Sequence, residues 1–261
     1  MRINHPDGYI KWLKSNPIYR NGELDNLPSD CIIIHDSLIV EHLTLLGYNL
    51  RNYNVFKIGA TDPIEFFLVR EHNTNFEFII MNGLPGGGGI STQISEMSSL
   101  GCSNFIHIGT CGLFGNKIKE GTVIVSNGSL KDESARLLSS DDLEISKPDQ
   151  AFKNEFEKYL KANQIDFKSG IGVTTPIFYH QPEKFIKPLL KSNKYDFIEM
   201  EQAPFFETCK IGNVKGISVV TGSDRYEIKA DSINHQYYDL DQNKGKNDIL
   251  RYCIDFLKQP K

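Results

Sequence analysis

Short runs of apolar residues alternate along this chain with longer segments in which apolar residues recur every three or four positions. The short runs are continuous and rich in β-branched and aromatic residues, which predicts strands buried on both faces of a sheet. The periodic segments predict amphipathic helices. The strands are predicted at residues 31–34, 54–58, 66–69, 76–81, 105–108, 122–126, 169–174, 197–198 and 216–220.

The predicted helices are interspersed among these strands. At the start of one of them, Ser91 occupies the N-cap position, and apolar residues follow at Ile94, Met97 and Leu100. Residues 131–147 are polar and lack periodicity, so they predict a long surface loop. The helices are predicted at residues 9–13, 37–46, 91–100, 150–163, 182–191, 201–210 and 247–257.

The alternation of strands and helices is typical of an α/β fold. Neither an internal repeat nor a low-complexity linker divides the 261 residues. We therefore predict a single-domain three-layer α/β/α sandwich with a central mixed sheet. It comprises residues 31–261 and follows a polar N-terminal extension of residues 1–30.

Composition and charge narrow the classes of function. A net charge of -4 argues against nucleic acid as a partner, because a phosphate backbone requires clustered Lys and Arg. No segment approaches the ~20 apolar residues of a membrane helix, so we expect no membrane partner. The five cysteines are dispersed without CxxC spacing, which favours reduced thiols in a cytoplasmic protein. The histidines and cysteines also lack ligand spacing, so no metal is expected.

Two glycine-containing segments follow predicted strands. Residues 86–89 are four consecutive glycines before a helix, where backbone amides can approach an anion. A flexible turn is the alternative interpretation of this run. Further on, a strand runs into Gly109, Thr110 and Cys111, and the Thr110 hydroxyl can donate to an anion. The alternative there is a tight turn in which Cys111 is a small buried residue.

Two acidic segments also follow predicted strands. Glu199 and Glu201 flank Met200, and a carboxylate there can accept hydrogen bonds from the vicinal hydroxyls of a sugar. The alternative is an acidic residue that stabilises the start of a helix. Asp224 follows Ser223 and can hold a proton for a leaving group. Its alternative is an N-cap or turn aspartate.

The order and spacing of the pieces GGGGISTQI, FIHIGTCG, IEMEQA and VVTGSD resemble those of the nucleoside phosphorylase family, which cleaves purine nucleosides and uridine. The resemblance covers about residues 30–257. It implies the fold of that family and a pentosyltransferase that acts on a nucleoside, with phosphate as co-substrate and no cofactor. It also implies a homo-oligomer, from dimer to hexamer, in which a neighbouring subunit completes each site.

The resemblance assigns roles around the nucleoside. It implies that Glu201 binds the ribose hydroxyls and that Met200 packs on the sugar. It places Phe178 against the base, and Tyr179 follows it in the chain. At the leaving group, Asp224 would protonate or hydrogen-bond N7 of a purine.

Three further residues receive roles from the same resemblance. Ser223 precedes the aspartate and joins the base site. Lys184 lies where uridine-cleaving relatives carry the arginine of a Gln-x-Arg pair, while Gln181 is one place out of register, which favours a purine. His5 is a candidate for the ribose 5′-hydroxyl, contributed by a neighbouring subunit.

The expected phosphate site departs from the family pattern. Thr110 and glycine amides such as that of Gly88 remain. Two family arginines are replaced by Ile39 and His107, and the third aligns with Lys57. Because an imidazole offers less to a phosphate than a bidentate guanidinium does, we expect weakened phosphate binding.

We therefore expect phosphorolysis of a purine nucleoside to free base and ribose 1-phosphate. Three alternatives remain open. One is a uridine phosphorylase. Another is a hydrolytic nucleosidase, suggested by Ile39 and His107 and by the possibility that His107 or His35 occupies the anion pocket. The last is a non-catalytic nucleoside-binding protein.

Overall fold

The structure of the protein is a computed structural model. Strands and helices alternate along it, as the hydrophobic pattern predicts. The described residues are 6–15, 24–35, 39–57, 63–71, 74–229, 232–237 and 242–259.

The strands of this part of the chain join into one mixed sheet of eleven strands. Every predicted strand overlaps one of them, and most of the observed strands extend beyond the predicted limits. The strands are β1 (Asp30–Ile34), β2 (Tyr48–Lys57), β3 (Pro63–Glu71), β4 (Glu77–Asn82), β5 (Asn104–Phe114), β6 (Val123–Leu130), β7 (Ile145–Ser146), β8 (Phe167–Thr174), β9 (Phe197–Glu199), β10 (Lys215–Lys229) and β11 (Ser232–Tyr237).

Part of the sheet closes on itself. The strand order is β11-β10-β6-β8-β9-β5-β1-β4-β3-β2, and β10 also pairs with β5 in parallel. The strands β5, β10, β6, β8 and β9 therefore form a closed ring, while β1 to β4 continue from β5 as an open sheet. Strand ends from both parts meet beside β5, where side chains from distant segments can share one space.

Helices cover both faces of the sheet. The helices are α1 (Asp7–Lys14), α2 (Ile39–Leu45), α3 (Gly86–Ser99), α4 (Glu133–Leu138), α5 (Gln150–Ala162), α6 (Glu183–Ser192), α7 (Gln202–Gly212) and α8 (Gln242–Leu257).

The side chains of β1 show how the layers are held together. Cys31 and Ile33 pack into a core with α1, α3 and α7. Ile32 and Ile34 pack into a second core with α2, α5 and α8. All of these strand residues are fully buried, which explains why the strand has a continuous apolar sequence. The predicted α/β fold with a mixed central sheet is confirmed.

Two sequence-based expectations about local structure are wrong. The third helix begins at Gly86, not near Ser91, and Pro85 occupies its N-cap position. The Ser91 hydroxyl instead donates to the Gly87 carbonyl 2.5 Å away, inside the helix. A serine that bonds back to the preceding turn does not cap, so its sequence position was misleading.

Residues 131–147 are also more ordered than a surface loop. They contain α4, whose N-cap Asp132 accepts a hydrogen bond from the Ala135 amide, and the short strand β7. Buried Lys131 forms ion pairs with Asp141 and Glu207. A six-residue helix and a two-residue strand are too short to show periodicity. In the described part of the chain, no helix combines the length and apolarity needed to span a membrane.

Candidate active site

A cavity that is partly open to solvent lies where β1, β8 and β9 end and where β5 and β10 pass each other. The lining combines carboxylates, hydroxyls and rings. It consists of His35, Gly109, Thr110, Cys111, Gly112, Thr175, Phe178, Gln181, Ile198, Glu199, Met200, Glu201, Ser223, Asp224 and Tyr226.

Six residues that sequence analysis selects for a nucleoside site line this one cavity. They come from β5, from the segments after β8 and β9, and from β10, which are separated by up to about a hundred residues. The closed part of the sheet brings these segments together. The six are Thr110, Phe178, Met200, Glu201, Ser223 and Asp224.

A bulge in β10 brings two of them in. The pairing of β10 with β5 runs in register up to Gly222 and then shifts, so that Asp224 pairs with Gly112. A bulge adds a residue to one strand and re-aims side chains. Both Ser223 and Asp224 consequently line the cavity. The next residue, Arg225, pairs instead with Glu120.

The two glutamates of the acidic segment have different surroundings. The Glu199 carboxylate accepts hydrogen bonds from the hydroxyls of Thr174 and Ser129, at 2.6 and 2.9 Å. It also accepts from the amides of Glu201 and Gln202, each at 2.6 Å. Burial nevertheless raises the pKa of Glu199 to about 7. Glu199 is therefore an internal brace that fixes the turn carrying Glu201.

Glu201 instead contacts the start of α3. Its Oε1 accepts a hydrogen bond from the Gly86 amide at 2.7 Å. Burial, and then the charge of Glu199, raise the pKa of Glu201 to about 7. The amide that begins the helix thus serves a carboxylate of the protein rather than an external anion. Gly87 is explained by packing, since a Cβ there would collide with Ser134.

Asp224 is paired with a histidine that the sequence analysis missed. Its Oδ2 lies 2.6 Å from Nε2 of His235 on β11, and its Oδ1 accepts from the Ser223 hydroxyl at 2.7 Å. The His235 ring stacks on Tyr226, with ring centres 4.2 Å apart, and Tyr237 contacts its other side at 4.4 Å. β11 is a short polar strand without an apolar run, so the hydrophobic pattern does not reveal it.

Two histidines lie together beside the cavity. His35 lines it, whereas His107, expected as a phosphate contact, is buried and is not part of the lining. The rings of His35 and His107 meet edge to face, with centres 5.3 Å apart. Burial, and then the charge of Lys246, lower the pKa of His35 to about 4. Burial, and then His35, also lower the pKa of His107. Both rings are therefore neutral near pH 7. One ligating atom of each lies within 4.8 Å of the other and of a Glu201 oxygen, so the three residues can hold a metal ion.

The other expected anion contacts lie elsewhere. Ile39 is buried in the core on one face of the sheet and does not line the cavity. Gly88 is an exposed residue of the first turn of α3 and does not line the cavity. The backbone of Lys57 ends β2, while its side chain lies outside the described part. His5 also lies outside the described residues.

Two residues that the resemblance places near the base lie outside the cavity, and one residue that was not expected there lines it. Tyr179 is 70% exposed and Lys184 is exposed on α6, and neither lines the cavity. Gln181 does line it, and its buried Oε1 has no hydrogen-bond partner among the described residues. The motif register places Gln181 out of line, so sequence reasoning discounted it.

Cys111 has a structural role. It is buried, and burial, together with the charges of Asp224 and Glu199, raises the pKa of its thiol. A protonated thiol is a poor nucleophile. This agrees with the interpretation of Cys111 as a small packing residue.

Comparison with known proteins identifies the family. The family model described as the phosphorylase superfamily matches residues 31–258. The chain belongs to the phosphorylase superfamily. A DeoD-type purine nucleoside phosphorylase from Buchnera aphidicola subsp. Schizaphis graminum (strain Sg) is 29% identical over 190 residues, which cover 72% of this chain and 79% of that relative.

Two further matches agree with this membership of the phosphorylase superfamily. A DeoD-type purine nucleoside phosphorylase from Caldanaerobacter subterraneus subsp. tengcongensis (strain DSM 15242 / JCM 11007 / NBRC 100824 / MB4) is 26% identical over 145 residues, covering 54% of this chain and 60% of that relative. The crystal structure of purine nucleoside phosphorylase from Toxoplasma gondii in complex with immucillin-H has a TM-score of 0.74. It is 18% identical, with 90% of this chain and 92% of that chain covered, and shows a shared fold.

The brace at Glu199 in this phosphorylase-superfamily chain yields a stability prediction. Glu199→Ala leaves two hydroxyls and two amides without their acceptor, so the free energy of unfolding should fall by on the order of 3 kcal/mol. Urea unfolding measures this loss. The control Glu155→Ala, at an exposed position of α5, should change it by less than ~0.5 kcal/mol. Equal effects of the two variants would show that Glu199 braces nothing.

Proposed function

We propose that the protein cleaves the N-glycosidic bond of a purine nucleoside by phosphorolysis, releasing the free base and ribose 1-phosphate. One observation carries this proposal: Thr110, Phe178, Glu201 and Asp224, remote in sequence, line one cavity. The two DeoD-type relatives, which are named purine nucleoside phosphorylases, support the same substrate class.

The ribose would be held beside Glu201. One oxygen of this carboxylate is anchored by the Gly86 amide, so the side chain is fixed before a ligand arrives. An ionised carboxylate can accept hydrogen bonds from both vicinal hydroxyls. Met200 lines the cavity next to it and offers an apolar surface to the sugar. Such prior positioning lowers the barrier because less ordering is needed in the transition state.

The base would be held between Phe178 and Asp224. Phe178 is 40% exposed at the cavity mouth, where its ring can stack on a heterocycle. As the glycosidic bond breaks, electron density moves into the base and N7 of a purine becomes more basic. Asp224, bonded to His235, can hold or deliver a proton there. His235 is partly exposed and can exchange that proton with solvent.

Phosphate would enter beside Thr110 and attack the anomeric carbon. The neutral state of His35 and His107 and the burial of Ile39 favour a second candidate, hydrolysis by water. Each charged hydrogen bond missing from the anion site weakens phosphate binding by ~1.5–3 kcal/mol. A third candidate is uridine cleavage, since the Oε1 of Gln181, which has no partner within the described part of the chain, can accept from a pyrimidine N–H.

A homo-oligomer belongs to the same proposal. Phe178 and Tyr179 expose their rings next to the cavity mouth, and a neighbouring subunit covering them would exclude water from the site. Loss of water strengthens every electrostatic contact inside the cavity.

Base release from inosine, adenosine and uridine, with and without phosphate, tests the proposal. We expect release from the two purine nucleosides to require phosphate and to yield ribose 1-phosphate. Asp224→Ala is expected to lower kcat by ~100-fold or more. Equal release without phosphate would establish hydrolysis, and faster release from uridine would overturn the purine assignment. Ligand binding without turnover would indicate a nucleoside-binding protein.

The pKa of Glu201 predicts a pH profile. Its pKa is raised to about 7, so below that pH the side chain is protonated and loses acceptor capacity. The value of kcat/KM should therefore rise about tenfold per pH unit on the acidic side and level off above neutrality. Among the neighbouring groups, the pKa of His35 is lowered to about 4, and the pKa of Glu199 is also raised to about 7.

The matched control is Glu201→Gln, which keeps the side-chain size and removes the titration. Its kcat/KM should be low and should lack the rise toward neutral pH. If the rise persists in this variant, another group controls it.

His235 is expected to be a positioning residue that acts through Asp224. His235→Ala should lower kcat for inosine by ~100-fold. It should have little effect on 7-methylguanosine, whose base leaves without taking a proton. His180→Asn, at an exposed position with φ +60° that asparagine tolerates, is the control. Equal losses for both substrates would mean that His235 only supports the fold.

A further inference from the structure

Two buried imidazole nitrogens on one side of the cavity lack the hydrogen bonds that such atoms normally make. They are Nε2 of His35 and Nε2 of His107, and neither has a partner among the residues that the structure describes. Buried polar atoms without partners are rare and indicate either a cost to stability or a missing ligand. Two of them on adjacent rings favour a ligand that both can reach.

The other nitrogen of each ring is already used. His107 Nδ1 lies 2.8 Å from the hydroxyl of Ser218. The His35 ring hydrogen-bonds the backbone of Gly83, which favours its protonated form and thus makes the ring the donor. When Nδ1 donates, Nε2 carries the lone pair. Histidines that bind metals have this arrangement, in which an outer partner fixes the tautomer and the ring orientation.

Glu201 adds a third donor. Ligating atoms of His35, His107 and Glu201 all lie within 4.8 Å of one another. A tetrahedral ion with bonds of about 2.0–2.2 Å to nitrogen and oxygen has its donors about 3.4 Å apart, so binding would draw these three side chains together. The Gly86 amide holds one oxygen of Glu201, and a carboxylate has further acceptor capacity.

We propose that His35, His107 and Glu201 bind a divalent transition-metal ion of the zinc class beside the cavity. Two imidazoles and one carboxylate form a donor set of borderline softness, suited to Zn²⁺ or Co²⁺ and poorly suited to Mg²⁺ or Ca²⁺. Three protein ligands leave a coordination position open toward the cavity. The ion places a positive charge in the space that also contains Thr110.

The electrostatic surroundings favour a cation over an anion. Both rings are neutral near pH 7, so they offer lone pairs rather than positive charge. Burial raises the pKa of both Glu199 and Glu201, and the charge of Glu199 raises that of Glu201 further, so a nearby cation would favour their ionised forms. Lys246 is the opposing contribution, with its ammonium 3.0 Å from the His35 carbonyl oxygen. We expect the attraction of the three donors for a divalent ion to exceed the repulsion from the single positive charge of Lys246.

The donors are separated by about 70 and 90 residues in sequence. His35 follows β1, His107 lies in β5, and Glu201 precedes α7. The parallel pairing of β1 with β5 brings the two histidines together. No spacing rule covers such a set, which is why sequence analysis expects no metal.

Zn²⁺ and Co²⁺ binding to the chelator-stripped protein tests the site without nucleoside or phosphate, so the result is independent of the proposed activity. We expect one Zn²⁺ per chain by competition with a chromophoric chelator. Co²⁺ should give the visible absorption of a low-coordinate site with nitrogen and oxygen ligands. X-ray absorption at the zinc edge should likewise show nitrogen and oxygen neighbours. Sulfur neighbours would assign the ion to a cysteine and overturn the proposal.

Variants locate the site. Ser218→Ala, which removes the outer partner of His107, should weaken Zn²⁺ binding by ~10–100-fold, and His35→Ala or His107→Ala should weaken it further. His180→Asn should bind like the wild type. If an alanine variant fails to fold, His35→Asn and His107→Gln replace it. Absence of stoichiometric binding in the wild type, or unchanged affinity in the folded histidine variants, would overturn the proposal.

Discussion

The hydrogen bonds around Glu199 are the interaction on which the rest of the site depends. One buried carboxylate joins β6 through Ser129, β8 through Thr174, and the turn before α7 through two backbone amides. Thr174 extends the connection, because its hydroxyl also accepts from the Ala203 amide. The ring of strands is thereby tied to the helix that follows Glu201. A carboxylate with so many partners tolerates burial that would otherwise be costly.

This brace determines what the neighbouring residues can do. Glu199 spends its carboxylate on four internal hydrogen bonds. Glu201 lines the same cavity and is anchored by the start of α3 through the Gly86 amide. In this short motif, Glu199 is therefore structural and Glu201 faces the ligand site. The local sequence does not reveal the hydrogen bonds that distinguish them. The same division separates Asp224, which faces the cavity, from Arg225, which binds Glu120 behind it.

The elements with a clear apolar pattern, either continuous or helical, could be predicted from the sequence. The strand β1 and the helix α5 follow directly from their apolar patterns, and motif spacing selected six residues that line the cavity. What sequence reasoning missed depends on tertiary contacts. The polar strand β11 carries His235 to Asp224 without any hydrophobic signal. The glycine run reflects close packing at Gly87 more than a loop for an anion, because packing space is not visible in a one-dimensional pattern.

The neutral histidines beside the cavity define the electrostatic problem that this site must solve. A guanidinium remains charged when buried, whereas burial keeps His35 and His107 uncharged. Among the residues that the structure describes, Lys246 is therefore the one cation near the acceptors around Glu201. Any nucleophile activated there must either be neutral, as water is, or be accompanied by a positive charge from outside the protein. Which nucleophile acts in this cavity therefore depends on whether the histidine pair holds a cation.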